Sequence, residues 1–248
     1  MPSPVELAKM SSLDSGHRSY RGLKSARRAI SSLAFFVLCV LLAAQSVWAE
    51  GQAGSVEELQ QRAAQGDVQA QLQLGLLYAK GEGVRQDYAA ALKWYRLAAA
   101  QGNAQAEFSL GVLYAKGEGV AQDEAEALKW YHLAAAQGNA EAELNLGLLY
   151  ATGQGVAQNE AEAVKWFRLA ASHGNAGAQF NLGVLYYQGQ GVPQNTVQAY
   201  KWLTLAAAGF PGKAERDSAL KLRDQVAADM TPAQIAQAQQ LVREGKTQ

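Results

Sequence analysis

The chain has 248 residues, 49% of them apolar, with 22 basic and 22 acidic side chains. That length suits one or two folded domains. The balanced charge gives no electrostatic footprint for nucleic acid, and the single cysteine excludes an internal disulfide framework.

Residues 1–49 differ in kind from the rest. Arg27 and Arg28 precede a 12-residue apolar run, Leu33–Ala44, and Val47 and Ala49 supply the small-x-small spacing of a signal peptidase site. This is the pattern of a secretory signal peptide cleaved after Ala49. The n-region is long, so Met10 is an alternative start, and the arginine pair fits a twin-arginine signal poorly. The competing reading is an uncleaved anchor over Ala29–Ala49, whose 21 residues match the ~20 needed to span a bilayer. In both readings the positive charge precedes the apolar run, which directs the remainder out of the cytoplasm. Residues 1–49 hold six basic and two acidic side chains, so the remainder keeps 16 of the 22 basic and 20 of the 22 acidic ones. Cys39 lies in the apolar run, so residues 50–248 have no thiol and must be held together by packing.

Residues 50–66 read as a linker and an N-terminal cap helix. Ser55-Val-Glu-Glu58 is a capping box. Its continuation QRAAQG matches the LAAAQG that recurs later, but Glu58 stands where the later copies have tryptophan.

From residue 67 the chain repeats. Gly75, Gly111, Gly147 and Gly183 are each 36 residues apart, and so are Trp94, Trp130, Trp166 and Trp202. Four units follow without a break in register: 67–102, 103–138, 139–174 and 175–210. Each reads as two helices. Asp67, Asn103, Asn139 and Asn175 are N-caps for the first, since a short side-chain oxygen accepts from free first-turn N–H groups. The first helix stops at G-x-G, with Gly81 and its copies taking the left-handed conformation. The second begins near Asp87 and ends at Gly102, Gly138 and Gly174. Its tryptophans are expected to fill the space between units. Apolar residues at 70, 72, 74, 76, 77 and 78 cover more than one face of the first helix, so one hairpin cannot bury them and stacking is required. Residues 211–248 supply two capping helices near Lys213–Ala228 and Pro232–Glu244, the latter opened by the Thr231–Gln234 capping box. The expected fold is all-α: a right-handed α-solenoid of four 36-residue helix-turn-helix repeats between N- and C-terminal capping helices.

The G-x-G loops are not phosphate sites, because no strand precedes them and no Lys-Ser or Lys-Thr follows. They also follow a helix C-terminus, whose dipole repels anions. His132 and His173 lack a second ligand at metal spacing. Glu107, Glu124, Glu126, Glu143 and Glu162 read as solvated helix faces. Lys93, Lys129, Lys165 and Lys201 read as snorkelling outer-face residues, with a stripe for an acidic partner as the alternative. The sequence offers no catalytic residue, no metal site and no cofactor site.

The motifs A-x-x-x-L-G-x-x-Y-x-x-G-x-G-V and A-x-K-W-x-x-x-A-A-x-x-G, over about Ala63–Phe210, resemble the Sel-1-like repeats, relatives of the tetratricopeptide repeats. Phe210 departs from the pattern by replacing the terminal glycine. Disulfide-stapled exported relatives have cysteines absent here, so their lactam-binding activity is not carried over. The resemblance implies a solenoid that binds proteins or peptides. Aligning L-G-x-x-Y with the tetratricopeptide pattern places four first-helix columns on the concave face. These supply the candidate site: Gln69, Gln105 and Glu141; Phe108 and Phe180; Gln73, Ser109, Asn145 and Asn181; and Lys80, Lys116 and Gln188. The Phe108 and Phe180 column, which includes Leu72 and Leu144, has packing between repeats as its alternative. The functional expectation is a non-enzymatic protein- or peptide-binding scaffold of the cell envelope, an adaptor or regulator, periplasmic or secreted. Its partner is a protein or peptide, not nucleic acid or metal, with membrane involved only through an uncleaved N-terminal segment. The rivals are an enzyme on envelope substrates such as a lactam or peptidoglycan, and a membrane-tethered assembly factor.

Overall fold

Asp and Asn side chains start nearly every helix of this protein, and glycine ends each first helix. In the computed structural model, which describes residues 56–245, Asp67 accepts from the backbone N–H of Ala70 at 3.0 Å; Asn103, Asn139 and Asn175 do the same at 2.9 Å for Ala106, Ala142 and Ala178. The helices they open are α2 (Val68–Lys80), α4 (Ala104–Lys116), α6 (Ala140–Thr152) and α8 (Ala176–Gln188). Each stops at a glycine, Gly81, Gly117, Gly153 or Gly189, with φ between 71° and 74°. This left-handed conformation is open to Gly without the Cβ penalty. The second helices are α3 (Tyr88–Ala99), α5 (Glu124–Ala136), α7 (Glu160–Ser172) and α9 (Thr196–Gly209). They too have side-chain N-caps, at Asp87, Asp123, Asn159 and Asn195. A helix over 56–64, α1, precedes the repeats, and α10 (Lys213–Ala228) and α11 (Pro232–Gly245) follow them. The capping box of α11 is formed: Thr231 N–H donates to Gln234 Oε1 at 2.8 Å, and Gln234 N–H to Thr231 Oγ1 at 3.3 Å. The signal and anchor readings, and Ser55 of the first capping box, lie outside the described residues. The helices from Glu58 onward belong to one unit; the other begins at Met1 and ends at Glu57.

All described elements are helical, and they form an α-solenoid. The core runs through the repeats as overlapping clusters. One joins α2, α3 and α4 through Leu72, Tyr95 and Leu110; the next joins α5 and α6 through Tyr131 and Leu146. Two more join α7 to α8 and α9 to α10 and α11. The mid-helix glycines are explained within each hairpin. A Cβ on Gly111 would stand 2.5 Å from Tyr131 Cε1, and one on Gly183 would stand 2.5 Å from Leu203 Cγ. The second helix therefore lies against a first helix that has no side chain at that point, which outweighs glycine's ~1 kcal/mol propensity cost.

Several sequence expectations change here. The fully packed aromatic is the residue after each tryptophan: Tyr95, Tyr131 and Phe167 are 2–3% exposed. The tryptophans are only half-buried, with Trp130, Trp166 and Trp202 packed against clusters of α3–α4, α5–α6 and α7–α8. The tryptophans do pack between units, as expected, while the following ring is buried more deeply, against the glycine of its own hairpin. The second loop glycine is more than a turn. Gly119, Gly155 and Gly191 lie against Tyr88, Glu124 and Glu160, the first residues of the preceding repeat's second helix. A Cβ on Gly119 would stand 2.6 Å from the Tyr88 carbonyl carbon. The G-x-G loop therefore ends one helix with its first glycine and docks on the previous repeat with its second.

Candidate functional site

Two kinds of polar residue sit on the first helices, one folded inward and one outward. The inward column is Gln71, Glu107, Glu143 and Gln179, each less than 9% exposed. This overturns the surface reading of Glu107 and Glu143, since a glutamate's place on a helix face is set by its neighbours and not by its charge. Each has a hydrogen-bond partner inside the seam, but among the described residues Glu143 Oε1 is buried without one. Gln71 Nε2 donates to the Ala63 carbonyl at 3.1 Å and its Oε1 accepts from Gln101 Nε2 at 2.9 Å. Glu107 Oε2 accepts from Gln137 Nε2 at 2.7 Å. Glu143 Oε2 lies 2.9 Å from His173 Nδ1. Gln179 Nε2 donates to the Ala171 carbonyl at 3.3 Å. Burial raises the Glu107 carboxyl pKa above its ordinary value, opposed by the Gln137 hydrogen bond.

The column of Arg96, His132 and Arg168 reaches across to the next repeat, with both arginines exposed and His132 half-buried. Arg96 and Arg168 donate to the hydroxyls of Tyr114 and Tyr186 in the next repeat, each at 2.6 Å. His132 sits edge-on to Trp166 and Tyr150 at 5.3 and 6.5 Å between centroids, and burial lowers its pKa. Of the lysines that precede the tryptophans, Lys129 and Lys165 are ion-paired to Glu126 and Glu162 at 2.7 Å on the exposed face of the second helices.

The outward stripe of the first helices is left. In α2 it is Gln69, Gln73 and Lys80, all exposed. Gln105, Lys116, Glu141 and Gln188 are likewise exposed, and Ser109, Asn145 and Asn181 half-exposed. Two of these side chains tie consecutive first helices together: Asn139 Nδ2 donates to Gln105 Oε1 at 3.4 Å and Asn175 Nδ2 to Glu141 Oε1 at 2.9 Å. Ser109 and Asn145 bond back to their own helix, at the carbonyls of Gln105 and Glu141. Lys80 lies 3.7 Å from Glu82, whereas Lys116 has no ion pair among the described residues. Phe108 and Phe180 stand apart from this group. Both are half-buried in the seam, with ring centroids 5.9 Å from Tyr131 and 6.3 Å from Phe210. Their column serves packing between repeats first.

The structure adds a row the sequence reading did not select: Leu76, Val112, Leu148 and Val184. Leu148 is 40% exposed and the others are half-buried. Residues 69, 73, 76 and 80 follow i, i+4, i+7, i+11, one stripe of a 3.6-residue helix. That spacing was available in the sequence and would have identified the row. The site is therefore an aliphatic row with amides on one side and Lys80, Lys116, Thr152 and Gln188 on the other. It contains no nucleophile–base pair. Among the described residues no group of three His, Cys, Asp or Glu side chains converges on a metal position.

The model of the Sel1 repeat matches residues 68–103, 104–139, 140–175 and 176–209. Among solved structures, a protective antigen of uropathogenic Escherichia coli with an SLR fold is 44% identical over 62% of this chain, with a TM-score of 0.60. This chain spans only 33% of that protein's length. A Sel1 repeat protein from Oxalobacter formigenes is 36% identical, over 68% of this chain and 76% of its own, with a TM-score of 0.56. No curated protein matches the chain.

Proposed function

The chain belongs to the Sel1 repeat family, whose members are repeat scaffolds that generally bind proteins, and on that premise we propose that this one holds a partner polypeptide along the outward stripe of α2, α4, α6 and α8. One observation carries the choice of face. Beside the stripe some buried positions keep one residue in all four repeats, as Leu74, Leu110, Leu146 and Leu182 and the mid-helix glycines do, because each must fit similar neighbours; along the stripe the polar positions differ. Position 69 and its copies read Gln, Gln, Glu, Gly, and position 80 and its copies read Lys, Lys, Thr, Gln. Exposed amides beside aliphatic side chains suit a polypeptide, offering hydrogen bonds to its backbone and apolar contact to its side chains. The second-helix face is less suited, since Lys129 and Lys165 already have carboxylate partners.

The N-terminal pattern supports an exported scaffold working in the cell envelope as adaptor or regulator. N-terminal sequencing of the mature protein tests this: a chain beginning at Glu50 fits a cleaved signal, and an intact Ala29–Ala49 fits a tethered one. The binding face is tested by selecting a displayed random-peptide library against the full chain. Selected peptides should lose binding when Gln105, Lys116 and Asn145 are changed together to Ala, and keep it when Lys93, Leu97, Leu133 and Leu169 are changed instead. Retained binding in the first variant refutes this face.

A further inference from the structure

The second helices carry an apolar strip of their own, which the protein covers in the fourth repeat and leaves bare in the first three. In α3, α5 and α7 the strip is Ala89, Lys93 and Leu97; Ala125, Lys129 and Leu133; and Ala161, Lys165 and Leu169, all exposed. The three leucines are 41%, 50% and 41% exposed, at one register of the repeat. A helix face turned to water is ordinarily polar. This strip has one charge per helix, on a lysine whose stem is itself apolar. In α9 the same positions are Val197, Lys201 and Leu205, and all three are half-buried. The difference is α11, which lies along α9. Val197 and Ile235 pack on one cluster that includes Ala238, and a Cβ on Gly245 would stand 3.6 Å from Lys201 Cε and 3.8 Å from Leu205 Cδ1. The face of α11 is thus Ile235, Ala238, Val242 and Gly245, at i, i+3, i+7 and i+10, one side of a helix. Its C-terminal end comes down beside Lys201, where a cation suits the free carbonyls.

The contact of α11 with α9 therefore shows what the bare copies of this strip can hold. Alanine and leucine offer no hydrogen bond, and Lys129 and Lys165 are already paired. That excludes an open backbone in search of partners, which the amides of the first-helix stripe suit. It does not exclude a helix, whose backbone is bonded within itself. The α11 of a second copy gains nothing by coming here, because it would leave an equivalent seat on its own α9. We infer that the strips of α3, α5 and α7 form a docking surface for an amphipathic helix of another protein, one with small aliphatic residues at i, i+3, i+7 and i+10, seated as α11 is on α9.

The test is fluorescence anisotropy with the full chain, whose own α11 keeps the α9 seat filled, and a labelled peptide of residues 231–245. A helix this short is marginal in water, so the peptide is held helical by a link between positions 236 and 240. Ala236 and Gln240 are exposed on α11, so the link leaves the contact face free. The peptide should bind saturably, and the same peptide with Ile235→Asp and Val242→Asp should bind roughly tenfold more weakly or worse, since a buried carboxylate without a partner is costly. The chain carrying Leu97→Asp, Leu133→Asp and Leu169→Asp should lose the first peptide by a similar factor, with its melting midpoint unchanged. The two peptides test the ligand on the unaltered chain, so the result does not hang on how that variant folds. No binding of the first peptide, or equal binding of both, overturns the inference. Binding retained by the folded triple variant overturns it as well, because the peptide then exchanges with α11. Loss on Leu148→Ser instead moves the helix to the first helices and overturns the face. Self-association of the full chain in sedimentation velocity, abolished by the three Asp substitutions, makes the occupant a second copy and overturns the partner.

Discussion

The seam between repeats and the outward stripe are made from the same first helices under opposite constraints. In the seam, residue identity recurs: Leu74, Leu110, Leu146 and Leu182 are all fully buried, and each mid-helix glycine meets the ring or branch of one second-helix residue. On the stripe, no neighbour fixes the side chain and the letters drift from repeat to repeat. Among the buried positions, the recurring leucine and glycine mark what the fold requires. Difference marks where a partner can be distinguished. The inward and outward polar columns, only two residues apart at 69 and 71, show how narrow the boundary is.

The largest expected effect lies in the seam. Phe167→Ala should destabilise the protein by about 3–5 kcal/mol, because a fully packed ring is lost and Gly147 faces a cavity. A denaturant titration reads it, and a loss below roughly 1 kcal/mol would break the seam assignment. Gly155→Ala comes next. It forces a side chain to φ 69° and places a Cβ 2.9 Å from the Glu124 carbonyl carbon, so a cost of about 1–3 kcal/mol is expected. Gly153→Ala has the same strain but meets only Gln158, at 3.2 Å, and should cost less. If the two were equal, the docking role of the second loop glycine would be wrong.

A gain is expected at Glu107. Its carboxyl pKa is raised in the folded protein, so the folded state binds a proton more tightly than the unfolded chain does. Stability from this group is therefore present at low pH and is lost as pH rises from the ordinary carboxylate value through the raised one. Glu107→Gln copies the residue that Gln71 and Gln179 place in the same column. It should stabilise by about 1 kcal/mol at pH 7, with the gain fading toward acid. Melting curves at neutral and acid pH decide it, and a pH-independent difference would contradict the burial argument. The smallest effect is on the outer face: Lys129→Ala should leave the melting midpoint essentially unchanged, because its pair with Glu126 is exposed and solvent screens it.

The sequence made the repeat period, the helix pairs and the first-helix caps legible, because Asp, Asn and Gly act locally. It was less informative where neighbours decide. Trp94 and Tyr95 are adjacent letters, and nothing local says which ring faces Gly75. Glu107 and Glu143 look like surface carboxylates until the second helix's Gln137 and His173 are seen to cover them. The aliphatic row at 76 escaped notice for the opposite reason: in a helix with apolar residues on several faces, an outward leucine is indistinguishable by composition.

The most direct measurement pairs binding with stability in one protein carrying Gln105→Ala, Lys116→Ala, Asn145→Ala and Leu148→Ser. The affinity of library-selected peptides and the thermal melting curve are recorded together. The account predicts at least a tenfold loss of affinity with the melting midpoint unchanged. Full affinity in the folded variant would contradict it.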